Sequence, residues 1–349
     1  MRVKFGAATL LIGLAAATAC TVPPGTTQSA SSTRLTTISP PVSFSAAPVR
    51  SPGTMTIYST PTPMSNPSGV TTGPDGNLWF TENAGNKVAR ATSNGSITEF
   101  SVPTEGSHPA DIATGPDGNL WVTESTADKI ARVTPDGVFT EYPTPTSRSN
   151  PIYIVLGPDG NLWFTEYEAS KVAKVTTSGV FTEYTIPTAD SQPVDITIGP
   201  DRNLWFLERG ANKIGKVTTS GDFTEFKVPT DGAFVQGIAT GPDGNLWFTE
   251  QDANKIATVT TAGAFSEYSL RSDKTILAQL IVQGPDGNMW FTENANNAIA
   301  RVTVTGQVTE YSIPRAGCGP YSITVGPDRG IWFTCPYSHD IGVFTPPTA

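Results

Sequence analysis

The sequence predicts an all-β fold, a seven-bladed β-propeller of four-stranded antiparallel blades, from three observations. Gly-Pro-Asp recurs at Gly73, Gly115, Gly157, Gly199, Gly241, Gly284 and Gly326, at spacings of 42, 42, 42, 42, 43 and 42 residues. All seven tryptophans follow in register, from Trp79 and Trp121 through Trp163, Trp205, Trp247 and Trp290 to Trp332. Each unit also carries three turn signals between short β-branched and aromatic runs, the pattern of a four-stranded blade. Gly 33 and Pro 30 among 349 residues supply those turns, and no helical period of useful length follows residue 20.

Before the repeats, Arg2 and Lys4 precede the small apolar run Gly6 to Ala19, which reads as a signal peptide over residues 1–20. Ala17-Thr18-Ala19 fits simple cleavage; Cys20, next in line, also fits a lipoprotein-type signal in which that cysteine is the lipid anchor. Residues 21–54 are rich in Ser, Thr, Pro and Ala with no acid, so they cannot bury enough apolar surface to offset chain entropy and are expected to form a disordered tether. The propeller then spans 55–349. No later stretch is long and apolar enough to span a bilayer, so the expected localisation is export, with membrane attachment only through the lipid.

Met55 to Pro61 reads as an outermost strand that arrives before any complete blade. Blade one covers roughly 66–103: strands at 69–72, 78–81, 87–91 and 96–102, with turns at Pro74 to Asn77, Ala84 to Asn86 and Asn94-Gly95. The last unit stops at Val343-Phe344 after three strands, so the N-terminal strand should complete blade seven and leave no long unpaired edge.

With 22 Lys plus Arg against 31 Asp plus Glu, the net charge is −9, and no basic cluster offers a footprint for nucleic acid or an anionic membrane. A monomer with a small molecule or peptide as partner is expected. In each blade the first strand should line the central channel, and a turn centred on Asp75 places Ser68 opposite Glu82 at one mouth. The Ser68 position repeats as Ala110, Ile152, Val194, Gln236, Gln279 and Tyr321. Ser68, Gln236, Gln279 and Tyr321 thus form a polar arc beside an apolar half, with Glu293 adjoining, which suits a ligand; drift at solvent-filled positions is the other reading.

The Glu82 position repeats as Glu124, Glu166, Glu208, Glu250, Glu293 and Cys335. Six carboxylates can hold a cation; in five of them a lysine follows five residues on (Lys87 in blade one), so each can instead pair locally or accept backbone hydrogen bonds, and Glu293, followed by Ala298, lacks that lysine. Cys318 and Cys335 read as a disulfide in an exported chain. The two histidines, His108 and His339, read as exposed loop residues or as a general base.

Blades of the form Gly-Pro-Asp-Gly-Asn-Leu-Trp-Phe-Thr-Glu, as at 73–82 and 241–250, followed by Asn-Lys-Ile and Thr-Glu-Tyr, resemble the streptogramin B lyase (virginiamycin B lyase) family over 55–349. The resemblance implies a carbon-oxygen lyase that linearises a cyclic depsipeptide by Mg-assisted elimination. It places the base, two metal-binding glutamates and a second functional histidine at Tyr321, Gly319, Cys335 and Gln279, and all four depart from the pattern. The expected function is therefore a binding propeller without the lyase base or metal ligands. The alternatives are a rearranged Mg-dependent lyase, with His339, His108 or Tyr321 as base and Glu250 and Glu293 holding Mg, or a structural envelope scaffold.

Overall fold

The computed structural model describes residues 53–270 and 275–346. The signal peptide, Cys20 and the tether up to residue 52 lie outside the described residues. Thr54, assigned above to the tether, instead opens the first strand, β1 (Thr54–Ser59).

Blade one is β2 (Pro67–Thr72), β3 (Leu78–Glu82), β4 (Lys87–Ala91) and β5 (Ile97–Ser101), paired antiparallel in that order. Strands β6 to β25 repeat the unit five times between residues 109 and 312. Blade seven is β26 (Ile323–Val325), β27 (Ile331–Cys335), β28 (Asp340–Thr345) and then β1, so the predicted closure holds. The seam is dense: Thr54 to Ser59 pair residue by residue with Thr345 to Asp340. Ser59 Oγ donates to Asp340 Oδ1 at 2.6 Å, and Arg315 Nε donates to Asp340 Oδ2 at 2.7 Å, so a wholly buried carboxylate ties the two ends together.

The repeat motif has a physical cause. The Asp75 carboxylate accepts from the Asn77 backbone N–H and from Trp79 Nε1 at 3.0 Å, fixing the indole against the turn. A Cβ on Gly73 would lie 2.2 Å from Trp79 Cδ1, so only glycine fits beneath the ring. The Trp79 ring then stacks on Phe100 of the outer strand at 5.5 Å, and each blade repeats this pair. In blade seven the aromatic partner of Trp332 is Tyr58, supplied by the N-terminal strand at 5.9 Å. The core is these buried tryptophans with the Phe80-type residue behind them, between the blades.

Candidate functional site: the channel mouth and its hydroxyl plug

The inner strands do not pair as the turn arithmetic predicts. Glu82 lies opposite Pro67, not Ser68, and Phe80 opposite Val70, so a bulge puts one extra residue into β2. Thr81 fills the gap: its hydroxyl accepts from the Gly69 N–H at 2.9 Å and donates to the Ala110 carbonyl of the next blade at 3.0 Å. The same stitch recurs around the ring and crosses the seam, where Thr334 donates to the Ser68 carbonyl at 2.9 Å. Blade four has Leu207 at this place and cannot make it.

In blades one to six the bulge adds a second residue to the inner strand beside the Ser68 position, a set that includes Asp111, Tyr153 and Asp195. Counting residues from the turn missed them, because a bulge leaves no mark in the residue spacing. The Tyr153 hydroxyl of blade three lies 2.6 Å from the Tyr321 hydroxyl of blade seven. Gln236 Nε2 of blade five donates to Tyr153 at 2.9 Å and to Tyr321 at 3.4 Å. Blades three, five and seven can meet only on the axis, so these side chains bridge the channel. Burial pushes both hydroxyls above the usual tyrosine value of 10.0.

Asp111 accepts from the Ile154 N–H of the next blade at 3.0 Å, and Asp195 from the Ile238 N–H at 2.8 Å. Each thus staples two inner strands. Burial raises Asp111 to about 7 and Asp195 to about 8 against these hydrogen bonds, with the Asp111 charge adding to the rise at Asp195.

Of the predicted arc, Gln236 and Tyr321 meet directly, Gln279 is buried and Ser68 half-buried. Their neighbours Ile152, Val194 and Tyr153 supply the apolar wall, in one packed cluster with Leu280. In the apolar run 276–278, Ile276 and Ala278 pack into one buried cluster with Trp247 and Ile256.

The glutamate ring sits elsewhere. Glu82, Glu124, Glu166, Glu208, Glu250 and Glu293 are wholly buried inside their blades. The expected pairing with the following lysine is also corrected: Lys129 Nζ reaches Glu141 of the outer strand at 2.8 Å and Thr104 Oγ1 at 2.6 Å. Burial and the charge of that second glutamate raise Glu82, Glu124, Glu166, Glu208 and Glu250 to about 8, with the lysine opposing. In blade six, where Ala298 replaces the lysine, Asn296 Nδ2 donates to Glu293 Oε2 at 2.7 Å.

Glu250 and Glu293, the paired Mg ligands of the lyase alternative, lie buried in two different blades. Among the described residues no group of three or more His, Cys, Asp or Glu could hold a metal ion.

Blade seven breaks the ring with the expected disulfide, Cys318–Cys335, across a Cα separation of 4.5 Å. Cys318 stands where blade one has the buried Ser65, so the bridge replaces a serine beside a glutamate. His108 is exposed, with Nδ1 3.2 Å from Asn83 Oδ1. His339 lies in the β27–β28 turn, where Nδ1 accepts from the Asn66 N–H at 3.4 Å.

The family model described as Virginiamycin B lyase family matches residues 46–233, 141–276 and 235–348. Among solved structures, a streptogramin B lyase is 36% identical at a TM-score of 0.80, covering 84% of this chain and 97% of that one. A virginiamycin B lyase from Staphylococcus aureus is 34% identical, with a TM-score of 0.80 and coverages of 84% and 99%. A catalytically inactive form of that enzyme with quinupristin gives the same values. Comparison with curated proteins found no match. By the family model, by identity over most of its length and by blade count, the chain belongs to the virginiamycin B lyase family.

Proposed function

We propose that this chain is an exported propeller of the lyase family that binds a small molecule or peptide at the channel mouth and does not eliminate it. One observation carries the reading: the residue at the base position is Tyr321, whose hydroxyl is committed to Tyr153 at 2.6 Å and raised in pKa by burial. Elimination next to an ester needs a group that takes an α-proton near neutral pH, and a tyrosine raised above its ordinary value keeps its own.

The other substitutions agree. Cys335 is tied up in the disulfide, and a side chain on Gly319 would run into the Tyr337 ring, 2.3 Å from the Cβ position. The mouth still offers a site, since Ser68, Gln236, Gln279 and Tyr321 stand beside apolar wall. The disulfide supports export to an oxidising compartment; lipid attachment at Cys20 stays part of the proposal.

Chromatography of quinupristin incubated with the protein and Mg tests the claim. No linear product is expected. A linear product that disappears in His339→Ala or His108→Ala overturns it. Calorimetry should instead show quinupristin binding that is lost in Gln279→Ala.

A further inference from the structure

The blade four to five junction departs from the repeat at three places. Leu207 removes the threonine stitch, Arg209 stands where other blades carry Asn83, Ser125, Tyr167, Gln251, Asn294 or Pro336, and Phe234 puts an aromatic side chain at a position that is left-handed in every blade, here at φ 52°. The equivalent position is left-handed in every blade and holds Asn66, His108, Asn150, Gln192, Leu277 and Gly319, so the conformation belongs to the repeat and Phe234 is the aromatic side chain placed in it. Phe234 is nevertheless 39% exposed, and the Arg209 guanidinium lies over its ring at 4.6 Å.

Among the described residues Arg209 makes no ion pair; its one hydrogen bond is a long 3.5 Å contact from Nε to the Val235 carbonyl. That contact sets it near the plug, because Val235 precedes Gln236, which donates to both the Tyr153 and Tyr321 hydroxyls; its charge also acts on the exposed Asp252, which burial nonetheless pushes upward. Asp111 and Asp195, the nearby channel carboxylates, are occupied in stapling backbone N–H groups. The mouth of an acidic protein therefore presents a guanidinium that, among the described residues, has no carboxylate in ion-pair contact and is held over an aromatic ring.

We infer that the mouth recognises a carboxylate, taken by the Arg209 guanidinium on its Phe234 platform beside the Tyr153 and Tyr321 hydroxyls. The inference rests on the mouth being the binding site. A planar guanidinium matches a carboxylate through two parallel N–H···O bonds, and stacking pre-orients it. The shared chemistry is an organic carboxylate, from a free aromatic acid or from a peptide C-terminus.

Calorimetry on the full chain uses 3-phenylpropionate, a short peptide ending in a free C-terminal phenylalanine, and the amide of each. At least one carboxylate should bind at least about tenfold more tightly than its amide. Arg209→Gln should abolish that preference, and Arg209→Lys should restore only part of it. Binding of the acid but not the peptide names a free acid as the source; the reverse names a chain end.

Equal binding of acid and amide, an unchanged preference in Arg209→Gln, or no binding of either carboxylate overturns the assignment. If quinupristin binds and these acids do not, the carboxylate assignment fails and the mouth reading stands. If the acids bind with the Arg209 dependence while Gln279→Ala changes nothing, the polar arc fails and the carboxylate assignment stands.

Discussion

At the scale of the residue, the chain is built on one contact repeated seven times, an indole N–H held by the turn aspartate above a bare glycine. Trp163 Nε1 donates to Asp159 Oδ1 at 2.9 Å, and Trp163 Cδ1 lies 2.2 Å from where a Gly157 Cβ would be. Gly157→Ala must displace a wholly buried ring, so it should lower stability by about 1–3 kcal/mol in urea denaturation without changing the fold. This was legible in the sequence because the contact is local: glycine, aspartate and tryptophan lie within seven residues. The Tyr153–Tyr321 hydroxyl contact was not legible, because 168 residues separate its partners.

At the scale of the element, each of blades one to five buries a glutamate beside a lysine that serves another glutamate. In blade three Lys171 reaches Glu183 at 2.6 Å, while Glu166, wholly buried, is raised from 4.5 to about 8 by burial and by the Glu183 charge. A folded-state pKa above the unfolded one means that the native blade holds the proton more tightly. The contribution to stability is complete below about pH 4.5 and is lost as pH rises through about 8. Glu166→Gln should therefore match the parent near pH 4 and outlast it above about pH 8 in thermal melts. Spacing correctly placed Glu82 and Lys87 as neighbours, and they pair across β3 and β4. It could not show that the lysine side chain reaches past its neighbour to the outer strand, since that depends on how strands β4 and β5 pack.

At the scale of the whole molecule, closure depends on β1. A chain beginning at Thr60 would leave β28 with an unpaired edge, Trp332 without Tyr58 and Asp340 without Ser59. It should self-associate or aggregate in size-exclusion chromatography, whereas the full propeller should elute as a monomer. Reducing Cys318–Cys335 releases a separation of 17 residues in the closing blade. That should cost about 3 kcal/mol in the chain-entropy account, read as a lower midpoint in denaturant with a thiol present.

The amino-acid order by itself determined the blade count, the turn chemistry, the N-terminal closure and the cysteine pair, because these follow from periodicity and from contacts within or between successive units. Only the folded ring decided that Asp111, Tyr153 and Asp195 are added beside the Ser68-type positions and that the glutamates turn inward. It also brought Tyr153, Gln236 and Tyr321 together, and set Arg209 over Phe234 beside them. A one-residue bulge moves side chains across the strand without altering the repeat length, and a closed ring makes neighbours of residues far apart in the chain.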